Sequence, residues 1–555
     1  MSTVPELKQT LRHYQVFFIA LSGVIGGGIF NNNATALELS GPDGLILSIV
    51  TMGIIAICVG ECVSELVQQF PAPNAIVEYV RAFVDKDIGW VVGIAYWYSM
   101  AAVFAVQSLA AAQLSMYWGL NQTWQTLTFY VFVPIALLGL NMVGVHTFGI
   151  IETIGGALKV CLVSGVSIML YVFAAQSQLA RSGPINDGFQ NKAGYANDHH
   201  IATCYAIPYV ALSFIGIEIV AVTGFEAKYT RDLRWPSRYI AWAVSLLYLL
   251  CTMGEVLTTR WNDPLLPTIY NGTRSNTTQV AKGTSRNIVI NATSTYGNSN
   301  MASFLNGCLL FSVISSANTS LYVSSRTLYG LAMGVPRTNW VGRQIHRLSL
   351  VVPRTGVPGP ALVVSAGAFV WLPFLQLKEG YAIADLNEII AVSASVVGLI
   401  VWASLCVAYI RYHKWIKICK KDLERDSNFK HFSRGCEQYK AHTLLDWAQP
   451  WIAYIGLTGC ILVFAFTSAA WWDTPVTFSK VAVAYAAHVI LLGAFLIFKA
   501  INWTRPGGGW VKLDPDFTQL IRTLDTLRWL KQDEKTLGDT ELVTRPRDDS
   551  VLSSF

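Results

Sequence analysis

Two apolar stretches of this 555-residue chain are interrupted by residue types that suit ligand binding better than lipid. The first reads Ala20-Leu21-Ser22-Gly23-Val24-Ile25-Gly26-Gly27-Gly28-Ile29-Phe30, and the second Ala211-Leu212-Ser213-Phe214-Ile215-Gly216-Ile217-Glu218. A helix that unwinds inside a bilayer frees N–H and C=O groups, which is tolerable only where they line a cavity or hold a ligand. Glycine permits the required dihedrals and lets a ligand approach the backbone. A half-helix starting near Gly26 would aim the N–H groups of Gly26, Gly27 and Gly28 at a carboxylate. Freed carbonyls around Ser22, Ser213 and Phe214 would accept from an ammonium. That pair of requirements describes an amino-acid backbone. Close helix packing explains the three glycines equally well in isolation. The matched break in the second stretch, with A-L-S and then I-G, favours a site, because inverted repeats leave such internal similarity.

Ionisable residues inside apolar spans are the second lead, being costly there and usually functional. Lys159 is expected about nine residues, roughly 13 Å, into its span, too deep to snorkel. Glu218 follows directly on the second break. Glu61 and Glu65 fall near the inner end of another span and Glu152 at the start of the span that carries Lys159. Glu65 and Glu152 are expected to reach interfacial water in structural or capping roles. Asp385 and Glu388 open a later span, where either a solvated helix start or an outer gate accounts for them.

These residues need a scaffold, and composition supplies one. The chain is 53% hydrophobic and 13% charged, against about 25% charged in soluble domains. Apolar runs give twelve expected helical spans at about 16–39, 44–68, 89–117, 126–145, 150–174, 203–225, 238–258, 302–332, 358–377, 383–411, 449–470 and 479–501, an all-α polytopic membrane protein. The continuous apolar runs exclude an outer-membrane barrel, whose strands alternate. Ten cysteines without a C-x-x-C pair suggest packing rather than disulfides or metal. No signal peptide is apparent, and the first span is expected to target the chain.

The net charge of +6 does not point to nucleic acid, because the basic residues concentrate in alternate loops. Eighteen Lys and Arg lie at the ends of spans 6, 8 and 10 and in the loops that follow, against eight in all the opposite loops. Both termini are therefore expected in the cytosol. N-x-[ST] motifs at Asn121, Asn271, Asn276 and Asn291 occupy loops on the outer side and are expected to be glycosylated; those at Asn33 and Asn318 fall inside spans. The expected organisation is a cytosolic tail 1–15, repeat 1 over 16–174, repeat 2 over 203–411 with an external loop 259–301, two further helices over 449–501, and a cytosolic tail 502–555.

The motifs resemble those of fungal amino-acid permeases of the yeast amino acid transporter family, within the amino acid–polyamine–organocation superfamily. The resemblance spans about residues 11–503 and rests on Ser22–Phe30, Ser64-Glu65-Leu66 with Phe70-Pro71, Leu158-Lys159-Val160, Trp402 with Ile410-Arg411 and, most specifically, Ser325-Arg326-Thr327-Leu328-Tyr329-Gly330-Leu331-Ala332. It implies a LeuT-like fold of two five-helix inverted repeats plus two peripheral helices, importing amino acids with protons at the plasma membrane. It also implies that Lys159 projects towards the place where related transporters hold sodium, with Ser315, Ser316 and Asn318 as partners. Departures are informative: Val24 and Gly27 replace threonines, Ile217 replaces another, Gln107 replaces a glutamate, and Phe225-Glu226-Ala227-Lys228-Tyr229-Thr230 departs from G-E-A-x-N-P. With Gln107 and Ile217 as lining residues, a neutral amino acid is favoured over a cationic one. A sensor or an exchanger of the same fold is the alternative. The sensor is disfavoured by only about fifteen residues before the first span. A heavy-chain partner is not expected, since residues Gly119–Thr126 lack a cysteine. No cofactor, metal or enzymatic activity is expected.

Overall fold

The computed structural model describes residues 7–177, 183–191, 196–266, 287–377, 381–426, 428–465, 478–502 and 513–527, with 179, 285 and 511. Among them the chain is helical, and its only bridges are two isolated pairs, Leu11 with Ala227 and Val352 with Val357. The principal helices are α1 (His13–Val24), α2 (Gly28–Gln69), α3 (Ala75–Phe83), α4 (Lys86–Ser115), α5 (Val133–Met142), α6 (Val145–Gln176), α7 (His199–Phe214) and α8 (Ile219–Thr223). They continue with α9 (Arg234–Thr258), α10 (Ile288–Tyr296), α11 (Ser299–Met333), α12 (Gly359–Ala368), α13 (Tyr381–Ile418), α14 (Trp451–Ala465), α15 (Phe478–Asn502) and α16 (Phe517–Thr526). Nine helical segments among the described residues are long and apolar enough to cross a bilayer, and three shorter apolar helices fall at the remaining expected positions.

Both interruptions are real breaks in the helical path. Span 1 is α1 plus the first part of α2, with Ile25, Gly26 and Gly27 unwound between them. Span 6 is α7 plus α8, separated by residues 215–218, where Gly216 adopts φ +119°. A side chain there would be strained, so this glycine is required by the break. The second half of span 1 meets span 2 without an intervening loop, at a kink where Gly41 (φ +75°) leaves helical geometry just before Pro42.

Span 5 begins earlier than its apolar run suggested. The chain turns at Gly144 and α6 starts at Val145, enclosing His146 and Thr147 in its first turn. Lys159 therefore lies about 21 Å into the helix and Glu152 about 10 Å, and both are buried. Glu65 is likewise fully buried, not interfacial, because the segment after α13 folds over that end of α2. Its carboxylate accepts from Tyr409 and Tyr439 at 2.5 Å each and from Arg434. The helix start holding Asp385 and Glu388 is described, but the environment of those side chains, like all of residues 528–555, lies outside the described residues.

The loops rich in Lys and Arg meet the N-terminal segment on one face of the bundle, called here the N-terminal face. Lys8 Nζ donates to Arg354 O (2.7 Å), Thr10 N and Leu11 N to Glu226 O (3.0 Å each), and Lys228 N to Leu11 O (2.8 Å).

Candidate functional site

Unwinding span 1 releases four successive carbonyls, and each finds a side-chain donor, supplied by α6, α9 and α11. Ser22 O accepts from Lys159 Nζ (2.7 Å), Gly23 O from Ser316 Oγ (3.2 Å), Val24 O from Tyr248 OH (2.9 Å) and Ile25 O from Ser312 Oγ (3.4 Å). Tyr248 OH also lies 3.0 Å from Ser213 O, linking the two breaks through α9. Buried backbone acceptors require such partners, and the arrangement revises one expectation. The carbonyls of Ser22 and Ser213 are engaged by Lys159 and Tyr248 rather than left open towards an ammonium. Tyr248 was not legible as a site residue; its signal was a lone hydroxyl in an apolar span, which must find a partner when buried.

Lys159, Ser22 and Glu152 form a continuous chain. Lys159 Nζ donates to Ser22 Oγ (3.0 Å), and Ser22 Oγ donates to Glu152 Oε2 (2.5 Å). Ser315 Oγ lies 3.2 Å from the same carboxylate oxygen, and Asn318 Nδ2 donates to Glu152 Oε1 (2.6 Å). Glu152 is thus the hub of a buried network rather than a helix cap. Lys159 sits at the carbonyl end of α1, where a cation is electrostatically favoured.

On the far side of the unwound segment, the start of α2 faces small polar groups. A Cβ at Gly26 would lie 2.7 Å from Ser316 Oγ and 2.9 Å from Gln107 Nε2, and one at Gly28 would lie 3.2 Å from Ser213 Cα. Helical geometry resumes at Gly28 with Gly27 at the cap, so the unpaired N–H groups belong to the first turn after Gly27, slightly later than the sequence suggested. Gln107, Ser316, Gly26, Gly28 and Ser213 are therefore neighbours. Two other expected lining residues face elsewhere. Ile217 packs towards Gly60 of α2, and the Phe214 ring stands edge-on to Tyr248 at 5.1 Å between centroids.

Glu218 closes the second break. Its Oε2 accepts from Gly216 N (3.0 Å) and Trp402 Nε1 (2.8 Å), and its Oε1 from Tyr96 OH (3.1 Å). The carboxylate occupies the place of the missing helical acceptors and ties span 6 to α4 and α13. Glutamine at 218 offers one acceptor oxygen to three donors, so Glu218→Gln is expected to cost about 1–3 kcal/mol. Trp402→Phe should cost less, and the double variant less than the sum, as a thermal-unfolding mutant cycle would read. Additive costs would separate the two residues.

Span 6 is also tied down at the N-terminal face. Arg326 of α11 places Nε 3.2 Å from Glu226 Oε1, and Tyr322 OH donates to the other carboxylate oxygen. Arg326, at the end of span 8, is only 4% exposed and paired. On the opposite face Asn121 is exposed at the N-cap of a short helix, with Oδ1 accepting from Trp124 N. Asn291 is mostly buried in α10, and its amide nitrogen donates to Asp263 Oδ2 (2.9 Å). Asn271 and Asn276 lie outside the described residues, whereas Asn33 and Asn318 are buried within spans.

Two paired discontinuous helices with polar groups gathered at their breaks define a LeuT-fold membrane transporter. The manganese transporter of Eremococcus coleocola has the same fold: crystal structures of two of its mutants superpose with TM-scores of 0.51 and 0.50 at 13% identity, covering 95% of this chain and 99% of theirs. The sequence matches the amino acid permease family over residues 15–505, and the chain belongs to that family. Relatives include a probable lysine/arginine permease of Candida albicans, 28% identical over 77% of this chain and 71% of its own length. A basic amino-acid permease of Saccharomyces cerevisiae is 24% identical over 96% and 87%, and a dicarboxylic amino acid permease of the same yeast 24% identical over 82% and 71%.

Proposed function

We propose that this amino-acid transporter couples uptake to protons through the Lys159–Ser22–Glu152 chain and favours a neutral amino acid. The observation that carries the coupling is the chain itself: an ammonium, a hydroxyl and a carboxylate in hydrogen-bond contact, buried and anchored to the unwound carbonyl of Ser22. Proton loss from Lys159 would release that carbonyl and free span 1 to move; regained, the proton would fix it again. The substrate carboxylate would meet the N–H groups that open α2, beside Ser213, and Gln107 and Ser316, which face Gly26, would stand towards the substrate side chain. Neutral preference follows from charge. Glu218 is committed to three donors and Glu152 to the relay, so neither is available to a cationic side chain.

On this reading the N-terminal face is cytosolic and the protein serves the plasma membrane, with Asn121 outside. The test is uptake of labelled amino acids into proteoliposomes with and without an inward proton gradient. Accumulation above equilibrium only with the gradient is the expected result. Equal accumulation without it would exclude coupling.

A further inference from the structure

The segment after α13 builds a second polar site, remote from the broken helices. A cavity of about 300 Å³ opens on the N-terminal face where this segment returns to the end of α2. Its wall carries Lys417, Lys420, Arg434, Ser433 and Gln449. Charge bookkeeping within it is uneven. Glu65 is saturated by Tyr409, Tyr439 and Arg434, and Arg434 is also paired with Asp446 (3.1 Å). Lys420 has only a loose, half-exposed contact with Glu424 at 3.8 Å, and Lys417 makes no ion pair among the described residues.

Gln449 adds an independent sign of a ligand. Both Nε2 and Oε1 of its side chain are buried without a hydrogen-bond partner. Buried amides are rarely left so, and an acceptor oxygen seated in the cavity would satisfy the Nε2 donor. Ser433 Oγ already donates to Glu424 Oε1 (3.0 Å), so the donors left on the wall are the two lysine ammonium groups and the Gln449 amide, which together are the recognition chemistry of a phosphate. The rim specifies where that phosphate would come from. Trp447 and Trp451 are 84% and 72% exposed beside the cavity, and Ile418 is 50% exposed. Indole rings in that setting lodge at the headgroup level of a bilayer, and a basic pocket at that depth selects anionic headgroups.

We propose that this cavity binds a phosphate group, that of an anionic phospholipid in the leaflet on the N-terminal face. The site stands apart from the transport pathway and does not depend on proton coupling. The experiment uses the full-length protein in nanodiscs of phosphatidylcholine doped with phosphatidylserine or phosphatidylinositol, with lipid retention read by native mass spectrometry. Lys417 and Lys420 are exposed, so a Lys417→Gln, Lys420→Gln double variant should fold. It is expected to lose retention of the anionic lipid on the order of tenfold, since each cation near the headgroup contributes substantially. Lys440→Gln, a basic residue of the same loop outside the cavity wall, should leave it unchanged. A second arm compares thermal unfolding in detergent with inorganic phosphate and with chloride. A phosphate-dependent stabilisation lost in the double variant, without any difference in lipid retention, would overturn the lipid assignment in favour of a soluble phosphate. Equal behaviour of wild type and double variant in both arms would overturn the site.

Discussion

Lys159→Met is expected to abolish proton-driven accumulation while leaving substrate binding detectable. One proton moving down a potential of 100 mV supplies about 2.3 kcal/mol, enough for roughly 50-fold accumulation. A variant that cannot couple should therefore equilibrate its substrate and stop. Methionine fills the space of the lysine stem but removes the donor to Ser22 O, so the unwound carbonyl loses its partner. Lys159→Arg should fail as well, because guanidinium does not release its proton under these conditions. Glu152→Gln gives a distinct control. It preserves shape and can still accept from Ser22 or Asn318, yet it removes the carboxylate at the end of the chain. The same loss of accumulation is expected. Concentrative uptake by Lys159→Met at wild-type level would place coupling elsewhere, and Glu255 would become the next residue to test: it is buried in α9 and its carboxylate accepts from Asn33 Nδ2 at 2.7 Å.

The contrast between Lys159 and Glu152 explains what sequence could and could not convey. Lys159 stood out because a cation in a long apolar run has no innocent explanation. Glu152 was misplaced because the start of α6 was judged from hydropathy, and His146 and Thr147 looked like loop. Helix starts in a membrane protein can be polar when the turn before them is fixed by a residue such as Gly144, at φ +133°. A five-residue error in the boundary moved a network hub to the water interface. The breaks at Gly26 and Gly216 were legible because glycine and a repeated motif mark them locally. Their satisfaction was not. Tyr248, Ser312 and Trp402 come from α9, α11 and α13, and no local pattern says which of many polar side chains in apolar helices will meet a given carbonyl. Ile217 shows the same limit in reverse: its position beside the break suggested a lining role, but the turn made by Gly216 aims it at Gly60 instead.

Gln107→Glu is expected to shift selectivity towards lysine and arginine. The Gln107 amide lies 3.4 Å from Ser316 Oγ and closely faces Gly26, the unwound position of span 1. A carboxylate there would be the one acidic group beside the break not already committed to protein donors, since Glu218 and Glu152 are each saturated. In a site shielded from water, a charge-assisted hydrogen bond to an ammonium or guanidinium contributes about 1.5–3 kcal/mol, which is about 10- to 100-fold in relative affinity. The same carboxylate is uncompensated when a neutral substrate binds, so affinity for neutral amino acids should fall as that for basic ones rises. The two effects act on one ratio, and that ratio is the quantity to measure. Competition of unlabelled lysine, arginine and a panel of neutral amino acids against one transported label, in wild type and Gln107→Glu, reads it directly. Gln107→Leu separates charge from size. It should weaken all substrates alike through loss of the polar contact, without favouring basic ones. A Gln107→Glu protein that transports but keeps the wild-type ratio would show that residue 107 is remote from the substrate side chain, and the proposed preference for neutral amino acids would then lose its basis at this wall of the site.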